Sequence, residues 1–370
     1  MPTIAAPAIP ATHRAVVLRG FGDASRLEVA RVPTPRVARP DEMLVRVRAT
    51  GVNPIEWKMR EGLGPIRFLA PRLLGRPMVL GLDFSGEVVE AGLAAGFAPG
   101  AEVFGRVPLG GTYAEHVRVR PADRRTAVAL KPARVPHGEA GPLPFAALVA
   151  YAGLVSYGGL PVAPGGAEGP RVLVSGASGG VGHLALQMAR RCLGASLVVG
   201  VCSSRNAAFA REMGAHEVVE YDRTPLEEVA ARPEWRGSFD LVFDAVGDDR
   251  YFTLVAAALL RPGGGRFVTA APPPSRPGRP GEDLGPREGA ALAARLAWRR
   301  LAHGYRLIPG LFGGLPTRGG FADIARWVED GRLGVHVWKT FELDEIRQAH
   351  AASETGRAVG KIAVVVGGEP

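Results

Sequence analysis

The sequence predicts a two-domain α/β protein, one domain mostly β and the other a doubly wound parallel sheet. Three observations carry the prediction. A chain of 370 residues with 46% hydrophobic content can bury two cores. Short alternating runs punctuated by Gly and Pro fill residues 1–135, and from about Pro136 long helical patterns alternate with short apolar strands. Finally, Arg171-Val-Leu-Val-Ser175 passes through a glycine-rich turn into an unbroken helical pattern that reaches Arg190, the junction of a βαβ unit.

Met1 to Thr12 has no basic leader followed by a continuous apolar segment, so residues 1–13 read as a mobile tail and not a signal peptide. Residues 14–48 alternate as antiparallel strands do, most clearly at Met43–Ala49, where every second side chain is apolar. Short strands continue at Gly86–Glu90, Ala101–Phe104 and Thr112–Val119, with glycines between them. Ala140–Ala167 carries no charge, but Pro144 and Pro161 bracket only sixteen residues, interrupted by Gly153, Gly158 and Gly159. A bilayer needs roughly 20 residues, so a buried helix is expected and no membrane span. The second domain, 136–318, holds apolar strands at Leu197–Val201, Phe239–Asp244 and Gly265–Ala270, which indicate a parallel sheet. Ala271–Pro286 is rich in Pro and Gly and should be a surface loop. A basic amphipathic helix near 288–302 follows, then a segment 319–370 with a helix at 321–330, a strand at 335–341 and a final helix and strand through 361–366.

The turn itself carries chemistry. Gly176, Gly179 and Gly182 are spaced G-x-x-G-x-x-G where strand becomes helix. Unpaired N–H groups and the positive end of the helix dipole favour a pyrophosphate there, and positions without side chains let the backbone come close. Gly176, Ser178, Gly179, Gly180, Val181 and Gly182 are the candidate contacts. About twenty residues on, the strand Leu197–Val201 ends in Cys202-Ser203-Ser204-Arg205-Asn206, with no acid where an NAD site places one. Two hydroxyls and a guanidinium, Ser203, Ser204 and Arg205, suit a 2′-phosphate, so NADP(H) is expected over NAD(H). Ala245, Val246 and Gly247 close another strand and belong beside the nicotinamide, because ligands bind at strand carboxyl ends, although Gly247 reads equally as a plain turn.

Composition excludes several other classes. The net charge of +9 comes almost wholly from scattered arginines, since only Lys58, Lys131, Lys339 and Lys361 are lysines. Nucleic acid is therefore not the expected partner, and the densest cluster, Arg295, Arg299, Arg300 and Arg306, reads as a solvated helix face more readily than as a polyanion site. Two cysteines, Cys192 and Cys202, make neither a disulfide framework nor a four-thiolate zinc site and imply a reducing compartment or indifference to redox, with a cytoplasmic setting expected. His116, His183, His303 and His350 have no ligand spacing, and Ser175 and Ser178 do not form G-x-S-x-G, so hydrolase chemistry finds no support.

Six ordered motifs then point to a family. They are Gly51-Val-Asn53-Pro-Ile-Glu-Trp-Lys58-Met-Arg-Glu-Gly62, Gly81-Leu-Asp-Phe-Ser-Gly86, Gly111-Thr-Tyr-Ala-Glu115, the Ser175–Gly182 turn, Phe239–Gly247 and Gly360-Lys-Ile362. Together they resemble the zinc-independent quinone oxidoreductase branch of the medium-chain dehydrogenase/reductase superfamily, over nearly all of 14–366. Phe321–Lys361 is especially similar to the reticulon-interacting quinone oxidoreductase group. The resemblance implies a GroES-like β domain interrupted by a Rossmann domain, the C-terminal segment returning to complete the first, an active site in the cleft between, and commonly a homodimer.

Zinc-dependent relatives place a Cys near Asn53 and a His-Glu pair at Leu82-Asp83, so neither a catalytic nor a structural zinc set can be assembled and no metal is expected. The chemistry implied is hydride transfer from NADPH to a quinone or an α,β-unsaturated carbonyl, carried by the cofactor. Asn53 and Lys58 are the candidate catalytic donors to the substrate oxygen. Asn53 reads equally as a turn cap, and Lys58 as a solvated helix residue or a ribose contact. By resemblance, Tyr221 joins the 2′-phosphate site and Lys361 the cofactor contacts, although Tyr221, following Glu217–Glu220 at a strand end, reads equally as a packing residue. Two alternatives stand beside this reading: a dedicated reductase of a biosynthetic intermediate on the same fold, and a non-catalytic protein that binds NADPH or nucleic acid.

Overall fold

A computed structural model describes residues 9–62, 77–162, 169–271, 286–309 and 315–367. The chain divides into two compact units, one comprising Met1–Phe145, Thr317–Ala325 and Val337–Pro370, the other Ala146–Pro316 and Arg326–His336. In chain order the strands are β1 (Thr12–Leu18), β2 (Leu27–Pro33), β3 (Met43–Val52), β4 (Asp83–Ala91), β5 (Glu102–Arg106), β6 (His116–Val119) and β7 (Ala127–Leu130). The second unit supplies β8 (Arg171–Ser175), β9 (Leu197–Cys202), β10 (Glu217–Glu220), β11 (Leu241–Asp244), β12 (Arg266–Thr269) and β13 (Tyr305–Leu307). β14 (Val337–Glu342) and β15 (Lys361–Val365) return to the first.

In the first unit β1 and β2 pair antiparallel, and a larger sheet runs β14-β15-β3-β4-β5-β7, with β6 also on β3. β1 starts at Thr12 because the chain there is already paired, Thr12 with Pro33 and His13 with Val32, inside the span read as a tail. The alternation at Met43–Ala49 predicts a single buried face, yet Leu44 is buried too. β3 is central, paired along its edges with β15, β4 and β6, and Met43, Leu44, Val45, Val47 and Ala49 are all buried, so apolar side chains are covered on both its faces. Arg46 on that strand is offset by Glu87 opposite, at 2.5 Å.

The second unit is a six-stranded sheet, β10-β9-β8-β11-β12-β13, parallel at every pairing. Its strands are near-continuous Val, Leu and Phe, as burial on both faces demands. Trp235, Phe239, Tyr251, Phe267 and Tyr305 fill the core with Val199 and Val242. From β8 the order runs outward one way to β9 and β10 and the other way to β11, β12 and β13, so the crevice above β8 and β11 is the topological switch point.

The expected buried helix is present as Pro144–Tyr151, and no helix among the described residues is long and apolar enough to cross a membrane. The basic helix runs over Pro286–His303, but its arginines do not share one solvated face. Arg299 is buried, paired with Asp249 and set over the rings of Phe252 and Tyr305, and Arg306 donates to the Tyr157 carbonyl at 2.9 Å. The Pro/Gly-rich loop lies outside the described residues except at its two ends.

Candidate active site

The glycine-rich turn leaves β8 at Ser175, and the helix that follows begins at Gly182. Gly176 sits at φ +62°, where a side chain is strained, and a Cβ on Gly182 would stand 2.1 Å from the Gly176 carbonyl oxygen. Strand end and helix start therefore touch backbone to backbone. The Ala177 N–H donates to the Val201 carbonyl at 3.0 Å, which ties the turn to β9. Ser178 and Val181 are half-buried, and the Ser178 hydroxyl accepts from Asn206 Nδ2 at 3.0 Å, which binds the turn to the loop after β9.

That loop holds Ser203, Ser204 and Arg205, the last exposed. Ser204 donates both its N–H, at 2.8 Å, and its hydroxyl, at 2.7 Å, to the carboxylate of Asp222, a residue the sequence reading assigned nothing. Asp222 lies beside it because β10 runs parallel to β9 with Glu220 opposite Cys202. Tyr221, between them, is 57% exposed.

Across the switch point, Asp244 ends β11 and organises the loop Ala245–Gly247. Its carboxylate accepts from the Ser175 hydroxyl at 2.5 Å, Val246 N–H at 3.0 Å, Gly247 N–H at 3.0 Å and the Thr269 hydroxyl at 3.1 Å. Ser175 in turn accepts from Ala245 N–H at 3.0 Å, so three neighbouring strand ends are locked to one buried carboxylate. Burial pushes that carboxyl above its usual range, and the four donors pull it back. Val246 is left 56% exposed, an apolar side chain presented at the rim of the crevice. Asp244 was legible only as the charged end of a four-residue buried strand.

The first unit holds a second polar cluster. Asn53 precedes the helix Pro54–Glu61 and is 2% exposed, its side chain turned inward. Nδ2 donates to Asp83 at 2.9 Å, and Oδ1 accepts from Lys361 Nζ at 2.5 Å. Lys361, 3% exposed, also stands 4.0 Å from Asp83, whose other oxygen accepts from Phe145 N–H at 2.7 Å. Glu56 is fully buried and accepts from Asn53 N–H, Leu82 N–H and the Tyr113 hydroxyl, at 2.6, 2.8 and 2.7 Å. Burial drives the Glu56 carboxyl up to about 7 and that of Asp83 up to about 6, and the same burial lowers the Lys361 ammonium.

His350, read as structural, caps this cluster. Since Tyr113 donates to Glu56, His350 Nε2 donates to the Tyr113 oxygen at 3.3 Å and Nδ1 accepts from Arg60 at 3.4 Å. Burial, with Arg60 beside it, pushes the ring down to about 3. Lys58, one turn along the helix, is half-buried, 5.5 Å from the centre of the Trp57 ring, and burial lowers its ammonium. Among the described residues no three His, Cys, Asp or Glu side chains converge as metal ligands. His116 stacks on His13 at 5.5 Å, and His183 Nδ1 lies 2.9 Å from the Gly179 carbonyl.

These two units, a GroES-like sheet domain and a doubly wound domain with a nucleotide turn at its switch point, define a nicotinamide-dependent oxidoreductase. Residues 39–132 match the alcohol dehydrogenase GroES-like domain, and 213–364 match the zinc-binding dehydrogenase family. The chain belongs to the medium-chain dehydrogenase/reductase superfamily. It is 31% identical to the mitochondrial NAD(P)H oxidoreductase RTN4IP1 of Danio rerio, over 90% of this chain and 85% of that protein. It is 30% identical to the chloroplastic quinone-oxidoreductase homolog of Spinacia oleracea, over 95% and 97% respectively. Among solved structures, the quinone oxidoreductase of Coxiella burnetii superposes with a TM-score of 0.75 at 26% identity, covering 96% of this chain and all of that one.

Proposed function

We propose that the protein is a zinc-independent, NADPH-dependent reductase of quinones or α,β-unsaturated carbonyl compounds. The observation that carries this reading is the pair formed by the turn and the strand after it: a backbone cradle that only glycine permits, and a β9 end that presents Ser203 and Arg205 with no acid at the usual NAD position. When bound, the reduced nicotinamide supplies hydride to an electrophilic carbon. The backbone of Gly179, Gly180, Val181 and Gly182 would hold the pyrophosphate, Arg205 with Ser203 and Tyr221 would face the 2′-phosphate, and the loop Ala245-Val246-Gly247, anchored by Asp244, would receive the nicotinamide end.

Lys361 supports a reaction without zinc. Its ammonium donates to Asn53 and faces Asp83, the positions where zinc-dependent relatives keep ligands, and a cation already seated on those lone pairs is a poor neighbour for a second. Asn53 has one N–H spent on Asp83, so its share in steadying charge on a substrate oxygen passes through the second N–H, and Lys58 is the freer donor. The test is NADPH oxidation against a panel of quinones, enones and enals in the presence of a chelator. Turnover with at least one class, unchanged by the chelator, supports the proposal; turnover restored only by added zinc contradicts it.

A further inference from the structure

The loop that follows β9 contains an arrangement that a pure phosphate pocket would not have. A serine hydroxyl has one hydrogen, and Ser204 gives its own to Asp222. Toward an incoming phosphate Ser204 thus offers lone pairs only, and its backbone N–H is engaged by the same carboxylate. Asp222 is exposed and accepts from Ser204 and from its own backbone N–H, and Arg223 beside it, paired with Glu220 at 3.0 Å, helps hold its carboxyl below the usual range. One residue past Ser204 stands Arg205, exposed and with no acid paired to it among the described residues. A carboxylate held by Ser204 and an exposed guanidinium therefore stand at the end of β9, with opposite effects on a 2′-phosphate.

We propose that Asp222 is a specificity-determining residue that offsets Arg205, holding this site open to the unphosphorylated dinucleotide as well as to NADPH. With NADPH, the carboxylate repels the 2′-phosphate and Arg205 attracts it. With NADH, the ribose hydroxyl donates to the Ser204 or Asp222 oxygens, which are arranged as acceptors. The inference rests on the reading of this turn as the dinucleotide site. It goes further by making Asp222, invisible in the usual strand-end position, the carboxylate that replaces the missing acid.

The experiment measures dissociation constants for NADPH, NADH and adenosine 2′,5′-bisphosphate on the full chain, for the natural protein, Asp222→Asn and Arg205→Ala, at low and high salt. Asp222→Asn keeps the shape and removes the charge. It should tighten NADPH and the bisphosphate about three- to tenfold, the scale of a like charge a few ångströms away in a watery dielectric, and the gain should shrink in high salt. The NADPH-to-NADH preference should rise accordingly. Equal changes for both dinucleotides, with unfolding temperature lowered, would make Asp222 a mere brace for the loop and overturn the inference. So would no change in a protein that binds NADPH normally. A natural protein that binds neither dinucleotide nor the bisphosphate would overturn the site reading itself.

Discussion

Replacing Asp244 by Ala should damage both the stability of the doubly wound unit and its hold on the dinucleotide. The carboxylate accepts from two backbone N–H groups and two hydroxyls, and it is itself almost wholly buried. The hydroxyls of Ser175 and Thr269 can turn to other acceptors, Thr269 having the Ala271 carbonyl at 2.7 Å. The buried Gly247 N–H has no such freedom, the Val246 N–H is only partly buried, and an unsatisfied buried donor costs about 1–3 kcal/mol. The expected loss is roughly 2–4 kcal/mol, which for a unit of this size lowers the unfolding temperature by about 10 °C. Asp244→Asn retains an acceptor oxygen for the two N–H groups and should lose about half as much. Thermal unfolding, with NADPH binding measured below the transition, reads both effects: the Ala variant should bind at least tenfold more weakly because residues 245–247 are no longer held. An Ala variant within about 2 °C of the natural protein would refute the claim that this carboxylate anchors three strand ends.

Gly182→Ala would put a Cβ against the Gly176 carbonyl and the Ala177 Cα, both backbone, so turn and helix must separate. Overpacking of this kind costs about 1–3 kcal/mol, and isothermal titration should show NADPH affinity falling by tenfold or more; unchanged affinity would disconnect the turn from the cofactor. His350 tests the buried cluster through pH. Its folded value of about 3 lies below the unfolded value of 6.5, so its contribution is complete above pH 6.5 and is lost as the pH falls toward 3. Between pH 7 and pH 5 the loss from this residue is about 2 kcal/mol, and His350→Gln should flatten the urea-midpoint profile over that window by about that amount; parallel profiles would contradict it. Glu56 and Asp83 act in the opposite sense, since their raised carboxyls contribute stability present below about pH 4 that is lost as the pH rises through 6 to 7. Glu56→Gln should therefore remove part of the decline toward neutral pH.

Much of this fold was readable because its signals are local. The run Arg171–Ser175 with its glycine turn, and Leu197–Cys202 after it, follow from periodicity and spacing alone. Where partners are distant in sequence, reading failed. Nothing near Ser204 announces that its hydroxyl belongs to Asp222, which arrives only when β10 pairs with β9. The inward turn of Asn53 depends on Lys361, 308 residues away, and the burial of Arg299 depends on Asp249. A polar residue's role is set by what the folded chain puts opposite it, and a helix-face pattern does not contain that information.

The most direct measurement mixes the protein, loaded with reduced NADPH in the presence of a chelator, with a quinone or an enone, and follows loss of the reduced-nicotinamide absorbance in a single turnover. A first-order decay is expected, slowed strongly by Arg205→Ala at fixed sub-saturating NADPH and unaffected by the chelator. A protein that binds no NADPH, or that stays inert toward every electrophile until zinc is supplied, would contradict it.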